Sequence, residues 1–117
     1  MSNNYPCYKL SRMIVDNHIP LDNLRLETSP TRFCVVPYHH LEFAEFESAQ
    51  GEEVITLTFL NRTVRIRGRN LRILGEALQE RTVESINPLP ERYQPLVSGE
   101  VRVKIIEITE SKEKSHA

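Results

Sequence analysis

The chain has 117 residues, of which 39% are apolar and 26% are charged, and its formal net charge at pH 7 is −1. This composition is that of a folded protein with a single core, and it excludes a disordered chain. The near-neutral balance also argues against a surface that is basic throughout, as in proteins built to coat nucleic acid.

The polar start, Met1 to Tyr5, does not resemble a secretory signal, and no window is long and apolar enough to span a bilayer. We therefore expect a cytoplasmic protein that does not associate with a membrane. Its two cysteines, Cys7 and Cys34, are expected to be free thiols in that compartment. We expect one globular domain over residues 1–110 and a charged, frayed tail over residues 111–117.

The first third of the chain contains only short patterns. Residues 8–15 place apolar side chains at helical spacing, so a short helix is expected there. Brief strands are expected at residues 24–26 and 33–36, with a turn at Ser29 and Pro30 between them. Residues 41–48 are typical of a strand whose alternation slips after Phe43, which a β-bulge would reconcile.

A β-hairpin is the best-defined pattern of the chain. If Asn61 and Arg62 form a two-residue turn, Leu57 faces Ile66 and every apolar residue of one strand meets an apolar residue of the other. A slip of one residue would set arginines against apolar partners. Arginine is a poor choice for the second turn position, so a longer loop is the alternative.

An amphipathic helix is expected directly after the hairpin. Asn70 is a suitable N-cap for residues 71–81, in which Leu71, Leu74 and Leu78 form one apolar stripe. Residues 82–86 suit either an extension of the helix or a strand, and residues 101–108 are typical of a β-branched strand. These elements predict an α+β fold: an antiparallel sheet of roughly four to six strands, with one main amphipathic helix packed on one face.

Five arginines fall within residues 62–72, and no acidic residue interrupts them. Because alternate residues of a strand face the same side, the arginines of residues 65–69 project together, about 6 to 7 Å apart, and the next one could join them from the helix. Guanidinium groups bind phosphate or carboxylate through forked donors. The alternative is a solvated strand face, with the helical arginine paired to Glu76. The candidate binding residues are Arg65, Arg67, Arg69 and Arg72.

An acidic block precedes the arginines, because residues 41–53 contain five glutamates and no basic residue. If this block forms the neighbouring strand, its carboxylates lie two strands from the arginines, about 10 Å away, and weaken the cationic field without cancelling it. Alternatively, the two blocks complement each other between subunits, which would make them an assembly signal.

Residues that could support catalysis or metal binding do not form a known pattern. Cys34, His39 and His40 lie close in sequence, with Cys7, His18 and Glu42 nearby, but their spacing fits no paired zinc motif, and adjacent residues of a strand point apart. The chain also lacks a glycine-rich phosphate loop and a nucleophile turn. We therefore expect no catalytic residue, metal or cofactor.

Residues 64–71, Val-Arg-Ile-Arg-Gly-Arg-Asn-Leu, are similar to the second signature of Sm-like RNA-binding proteins, where a strand ends in Ile-Arg-Gly and the following loop contacts RNA. This resemblance implies that Arg67 and Gly68 contact RNA. The first signature of that family is not found, and a helical pattern stands where Sm proteins continue with a strand. The hairpin, the Gly-Arg-Asn-Leu segment and the helix together also resemble small bacterial proteins of unassigned function.

The arginine-rich face favours a small non-enzymatic binding or assembly module. Its partner would be an anionic ligand or an acidic protein surface, on another protein or on another copy of the chain. Sequence-independent RNA binding is the alternative, and a small enzyme ranks last.

Overall fold

Eight strands and one short α-helix form the described part of this computed structural model, which comprises residues 7–11, 20–89 and 100–110. The helix α1 spans Arg72–Gln79, and a single 3-10 turn, Tyr38–His40, joins the third strand to the fourth. The strands are β1 (Tyr8–Leu10), β2 (Asn23–Ser29), β3 (Arg32–Pro37), β4 (Leu41–Ala49), β5 (Glu52–Phe59), β6 (Arg62–Arg69), β7 (Val83–Ile86) and β8 (Arg102–Glu110).

The strands form two four-stranded sheets, with the orders β1-β7-β2-β3 and β4-β5-β6-β8. Neighbouring strands are antiparallel, except that β2 and β7 run parallel, with Leu26 beside Ile86. The second sheet is a meander of β4, β5 and β6 to which β8 adds at the far edge of β6. The first three strands and the strand after α1 therefore build the first sheet together.

The predicted α+β fold, an antiparallel sheet with one main helix packed on it, is wrong. Strands make up 63% and helices 13% of the described residues, and they form two sheets with one short helix. Short strands carry too little alternation to be recognised, and tertiary pairing decides their conformation. The segment Tyr8–Leu10, expected to begin a helix, is a strand paired with β7, and residues 83–86 also form a strand. Residues 12–19 and the expected tail at 111–117 lie outside the described residues.

The hairpin of β5 and β6 exists, but its register differs from the predicted one by two residues. Leu57 faces Val64 and Ile55 faces Ile66. A shift of two residues keeps every side chain on its own face, so the alternation of apolar residues cannot detect it. The last pair is Thr58 and Thr63, which leaves residues 59–62 as the connection. The longer loop is therefore the correct alternative.

The hairpin of β4 and β5 closes with a two-residue turn. Ala49 faces Glu52, and the residues between them, Gln50 and Gly51, have φ angles of 54° and 81°. Positive φ at both central positions defines a type I′ turn, whose twist matches that of the strands it joins. The predicted irregularity of β4 is present, but it lies between Leu41 and Phe43, one position earlier than expected.

The core lies between the inner faces of the two sheets and the buried side of α1. The predicted stripe of Leu71, Leu74 and Leu78 is buried. Asn70 does not cap the helix: its φ is 56°, and its amide Nδ2 donates to the Glu100 carbonyl oxygen. The carboxylate of Glu53 instead accepts a hydrogen bond from the Leu71 amide. Other fully buried side chains of the core are Leu24, Leu26, Leu57, Val64, Ile66, Val83, Ile86 and Val103.

Two polar groups tie distant segments together inside the protein. The Tyr38 hydroxyl donates a 2.7 Å hydrogen bond to the carbonyl oxygen of Val83. The Cys7 sulfur accepts a hydrogen bond from the Val103 amide of β8. Burial raises the pKa of both side chains, because each anion would lose its hydration. Both cysteines are free thiols, as expected; Cys34 is half-buried.

Among the described helices, none has both the length and the apolar character that crossing a membrane requires.

Candidate functional site

Three of the four predicted arginines share one exposed face. In β6 the residues Val64, Ile66 and Gly68 are buried, and the intervening side chains point away from the core. This places three arginines on the outer face of the second sheet, at successive outward positions of one strand. We call this set the basic stripe: Arg65, Arg67 and Arg69.

Arg72 does not belong to the basic stripe. It lies on α1, which packs against the opposite, inner side of the sheet, and its guanidinium sits 4.9 Å above the ring of Phe46. Phe46 faces Ile55 on the inner side of β4 and β5. Arg72 forms no ion pair with any described residue, so the pair with Glu76 that the alternative interpretation required is not formed. The chain turns around the end of the sheet between β6 and α1, and this turn places Arg72 on the inner side. The alternation of residues along β6 does not reveal such a turn.

The strand β8 supplies acidic neighbours that the sequence did not predict. Glu107 is the cross-strand partner of Arg65, and its Oε1 lies 3.7 Å from Nε of Arg67. At the end of the strand, Glu110 pairs with Arg62 at 3.2 Å. Exposed ion pairs of this kind contribute about 0 to 1 kcal/mol each. The residues that compensate the arginines come about 40 positions later in the chain, and only knowledge of strand order reveals them.

The β4 part of the acidic block lies two strands from the arginines, whereas Glu52 and Glu53 lie on β5, next to the arginine strand. Cross-strand partners form one row of Glu45, Thr56 and Arg65, and a second row of Glu47, Val54 and Arg67. We call Glu45 and Glu47 the acidic stripe. About 10 Å separates it from the basic stripe. In the two rows, β5 presents the uncharged side chains of Val54 and Thr56, so the outer face is acidic on the β4 side and basic on the β6 side.

The basic stripe retains uncompensated charge. Arg65 and Arg69 form no ion pair with any described residue, and both are exposed. The cross-strand partner of Arg69 is a further arginine, Arg102. A row of guanidinium groups at strand spacing can bind several carboxylates or phosphates at once through forked hydrogen bonds.

A second concave surface runs along the free edge of β4, beside α1. This groove of about 590 Å³ has an apolar floor, and it includes Arg72 and Arg81 together with three glutamates. Arg81 is already engaged, because it donates two hydrogen bonds to the carbonyl oxygen of Leu21 and lies over the ring of Tyr38. Charges of both signs line the groove, so it does not select a ligand by charge as the basic stripe does. The floor is formed by Leu41, Phe46, Ile55, Leu57 and Leu78.

His39 and His40 do not point apart as residues of a strand. They lie in the 3-10 turn, and their ring centroids are 4.5 Å apart. Within residues 7–11, 20–89 and 100–110, no group of three or more His, Cys, Asp or Glu side chains is arranged to hold a metal ion.

No protein-family model matches this chain, and no curated protein or solved structure shows significant similarity to it. The likeness to the Sm signature is therefore confined to residues 64–71. Within that segment, packing explains why residue 68 is a glycine, since a Cβ there would lie 1.9 Å from the carbonyl oxygen of Arg102 in the neighbouring strand.

Proposed function

We propose that this chain is a non-enzymatic binding module that contacts an acidic protein surface through the basic stripe. One observation carries the proposal: three arginines stand on one exposed sheet face, and two of them, Arg65 and Arg69, form no ion pair with any described residue. Arginine is enriched at protein interfaces because its planar fork binds carboxylates in defined geometry.

The surroundings of the stripe favour a protein partner over nucleic acid. Glu107 contacts Arg67, and the acidic stripe lies about 10 Å away on the same face, so a continuous phosphate backbone would meet repulsion on both sides. A partner with separate carboxylates avoids this repulsion. RNA-binding surfaces also stack bases on aromatic rings. On the β4–β6 part of this face the aromatic residue is Phe43, which lies in β4 and away from the arginines.

A charge-matched pair of variants tests the proposal. The probe is fluorescent poly-L-glutamate, and binding is followed by anisotropy at low protein concentration over a salt series. Charge contacts in the upper half of the range for exposed pairs contribute about 0.5 to 1 kcal/mol each, so R65Q/R69Q should weaken binding about 5- to 30-fold. The control R25Q/R32Q removes the same charge from the first sheet and should change binding less than about twofold.

A single-stranded RNA oligonucleotide is the second probe. The proposal is overturned if the two variants lose poly-L-glutamate binding equally, because the effect would then be one of net charge. It is also overturned if the wild-type protein binds the RNA but not poly-L-glutamate. In that case the arginines bind nucleic acid.

A further inference from the structure

We infer that the acidic surface bound by the basic stripe is the acidic stripe of a second copy of this chain. The two copies pack outer face to outer face about a twofold axis that lies between them, parallel to β5. The inference rests on the proposed function, since it names the partner of the same surface. It is carried by the arrangement of charges on the two sides of β5.

The twofold geometry follows from the cross-strand rows. The strand β5 lies midway between the stripes, about 4.8 Å from each. A half-turn about an axis parallel to β5 exchanges the β4 side of the face with the β6 side. It leaves each residue at the same position along the strand direction. Because Glu45 and Arg65 flank Thr56 in one row, Glu45 of one copy falls opposite the partner's Arg65.

The second row repeats the match. Glu47 and Arg67 flank Val54, so the same rotation sets Glu47 opposite the partner's Arg67. Each unique pair occurs twice in a symmetric dimer, which gives four contacts between opposite charges. A face with one sign of charge, or with acids and bases in unmatched rows, would not complement itself in this way.

The centre of the face suits an interface between proteins. Between the two charged stripes, the outward side chains of β5 are Val54, Thr56 and Thr58, which are uncharged and half-buried, whereas the exposed Glu52 stands at the end of the strand. Interface centres are depleted of charge, while their rims are polar. Phe43, whose side chain is 60% exposed, lies in one row with Thr58 and Thr63, so the rotation would cover it with the partner's Thr63.

The size of the face predicts a weak dimer. The footprint comprises β4, β5 and β6, about 26 Å long and about 14 Å wide. This is less than the roughly 800 Å² per partner of a standard interface. Packed sheets lie about 10 Å apart, a distance that arginine and glutamate side chains bridge together. We therefore expect a dimer that exchanges rapidly and dissociates as salt screens the four pairs.

Charge reversal tests the dimer and its register. E45K/E47K makes both stripes basic, and R65E/R67E makes both acidic. The dimer of each variant alone should have a dissociation constant at least about 100-fold higher than that of the wild type, because like charges that face each other across an interface repel. An equimolar mixture should regain a dimer, because an all-basic face meets an all-acidic one. Sedimentation velocity over a concentration series measures all three samples.

Two further variants complete the experiment. The control E80K/E84K has the same charge change as E45K/E47K, but on residues outside this face, and should dimerise as the wild type does. The fourfold variant E45K/E47K/R65E/R67E restores opposite charges in every row and should also dimerise. Recovery in the mixture and in the fourfold variant excludes misfolding as the cause of dissociation.

A wild-type protein that stays monomeric at every concentration overturns the inference. So does a dimer that survives both reversals, because another surface, such as the free edge of β4, would then form it. If a monomeric wild type still binds poly-L-glutamate through Arg65 and Arg69, the inference fails and the proposed function stands. If it neither dimerises nor binds, both fail.

Discussion

Gly68 lies inside the arginine-rich segment, but packing against the neighbouring strand explains why this position is a glycine. The register of β6 and β8 shifts between Arg67 and Gly68, and this bulge brings the backbone of β8 close to the glycine. A Cβ at this position would lie 1.9 Å from the Arg102 carbonyl oxygen and 2.9 Å from its carbon. Backbone atoms of a paired strand cannot move aside cheaply, so a side chain is excluded here.

Substitution of the two structural glycines by alanine should have opposite effects. In G68A the new methyl group collides with β8, and the free energy of unfolding should fall by about 3 kcal/mol or more. In G75A the methyl group would lie 3.7 Å from Ile55 Cδ1, which is an ordinary contact. The higher helix propensity of alanine should raise the free energy of unfolding by up to about 1 kcal/mol. Urea denaturation measures both, and equal stabilities would contradict the close approach.

At the scale of elements, the sequence predicted what depends on local periodicity and failed where distant pairing decides. The hairpin of β5 and β6 and the buried side of α1 were correct because their alternation and helical spacing are long enough to recognise. The register was wrong by two residues, because Leu57 has an apolar partner in either register. The helix predicted from residue 8 is wrong at β1, because a strand of three residues has no usable period. Arg72 was placed with the other arginines because the turn of the chain after Arg69 cannot be seen in the sequence.

The turn between β4 and β5 gives a prediction of its own. Gln50 has a φ of 54°, a conformation that asparagine adopts with less strain, and Asn-Gly is a favoured pair for type I′ turns. Q50N should therefore raise the melting temperature by about 2 to 5 °C. L60N alters the tip of the other hairpin, where φ is not positive, and should give no such gain. Differential scanning calorimetry distinguishes the two, and a gain in both would show that the turn type is not the cause.

For the whole molecule, the buried thiol of Cys7 and the buried phenol of Tyr38 link stability to pH. Each group has a folded pKa above its ordinary value, 9.0 for the thiol and 10.0 for the phenol, so the native state holds these protons more tightly than the unfolded chain does. Their contribution is complete below pH 9. It is lost as pH rises, first through ionisation of Cys7 and then through that of Tyr38 in the unfolded state.

The free energy of unfolding should therefore fall between pH 9 and pH 11, and more steeply in the wild type than in C7A/Y38F. The double variant should be less stable at pH 7, because the Val83 carbonyl loses its donor, at a cost of about 1 to 3 kcal/mol. Chemical denaturation at a series of pH values compares the slopes. Parallel curves for the two proteins would mean that these groups do not carry the alkaline transition.

The place of β8 in the chain has a consequence during synthesis. The strands β4, β5 and β6 follow one another closely, whereas β8 begins only at Arg102. Until β8 has emerged from the ribosome and docked, β6 is the open edge of a three-stranded meander. Unpaired edges invite other chains to add as strands, and a row of like charges discourages this. We therefore expect the arginines to protect the nascent sheet from aggregation until the last strand docks and brings Glu107 to Arg67 and Glu110 to Arg62.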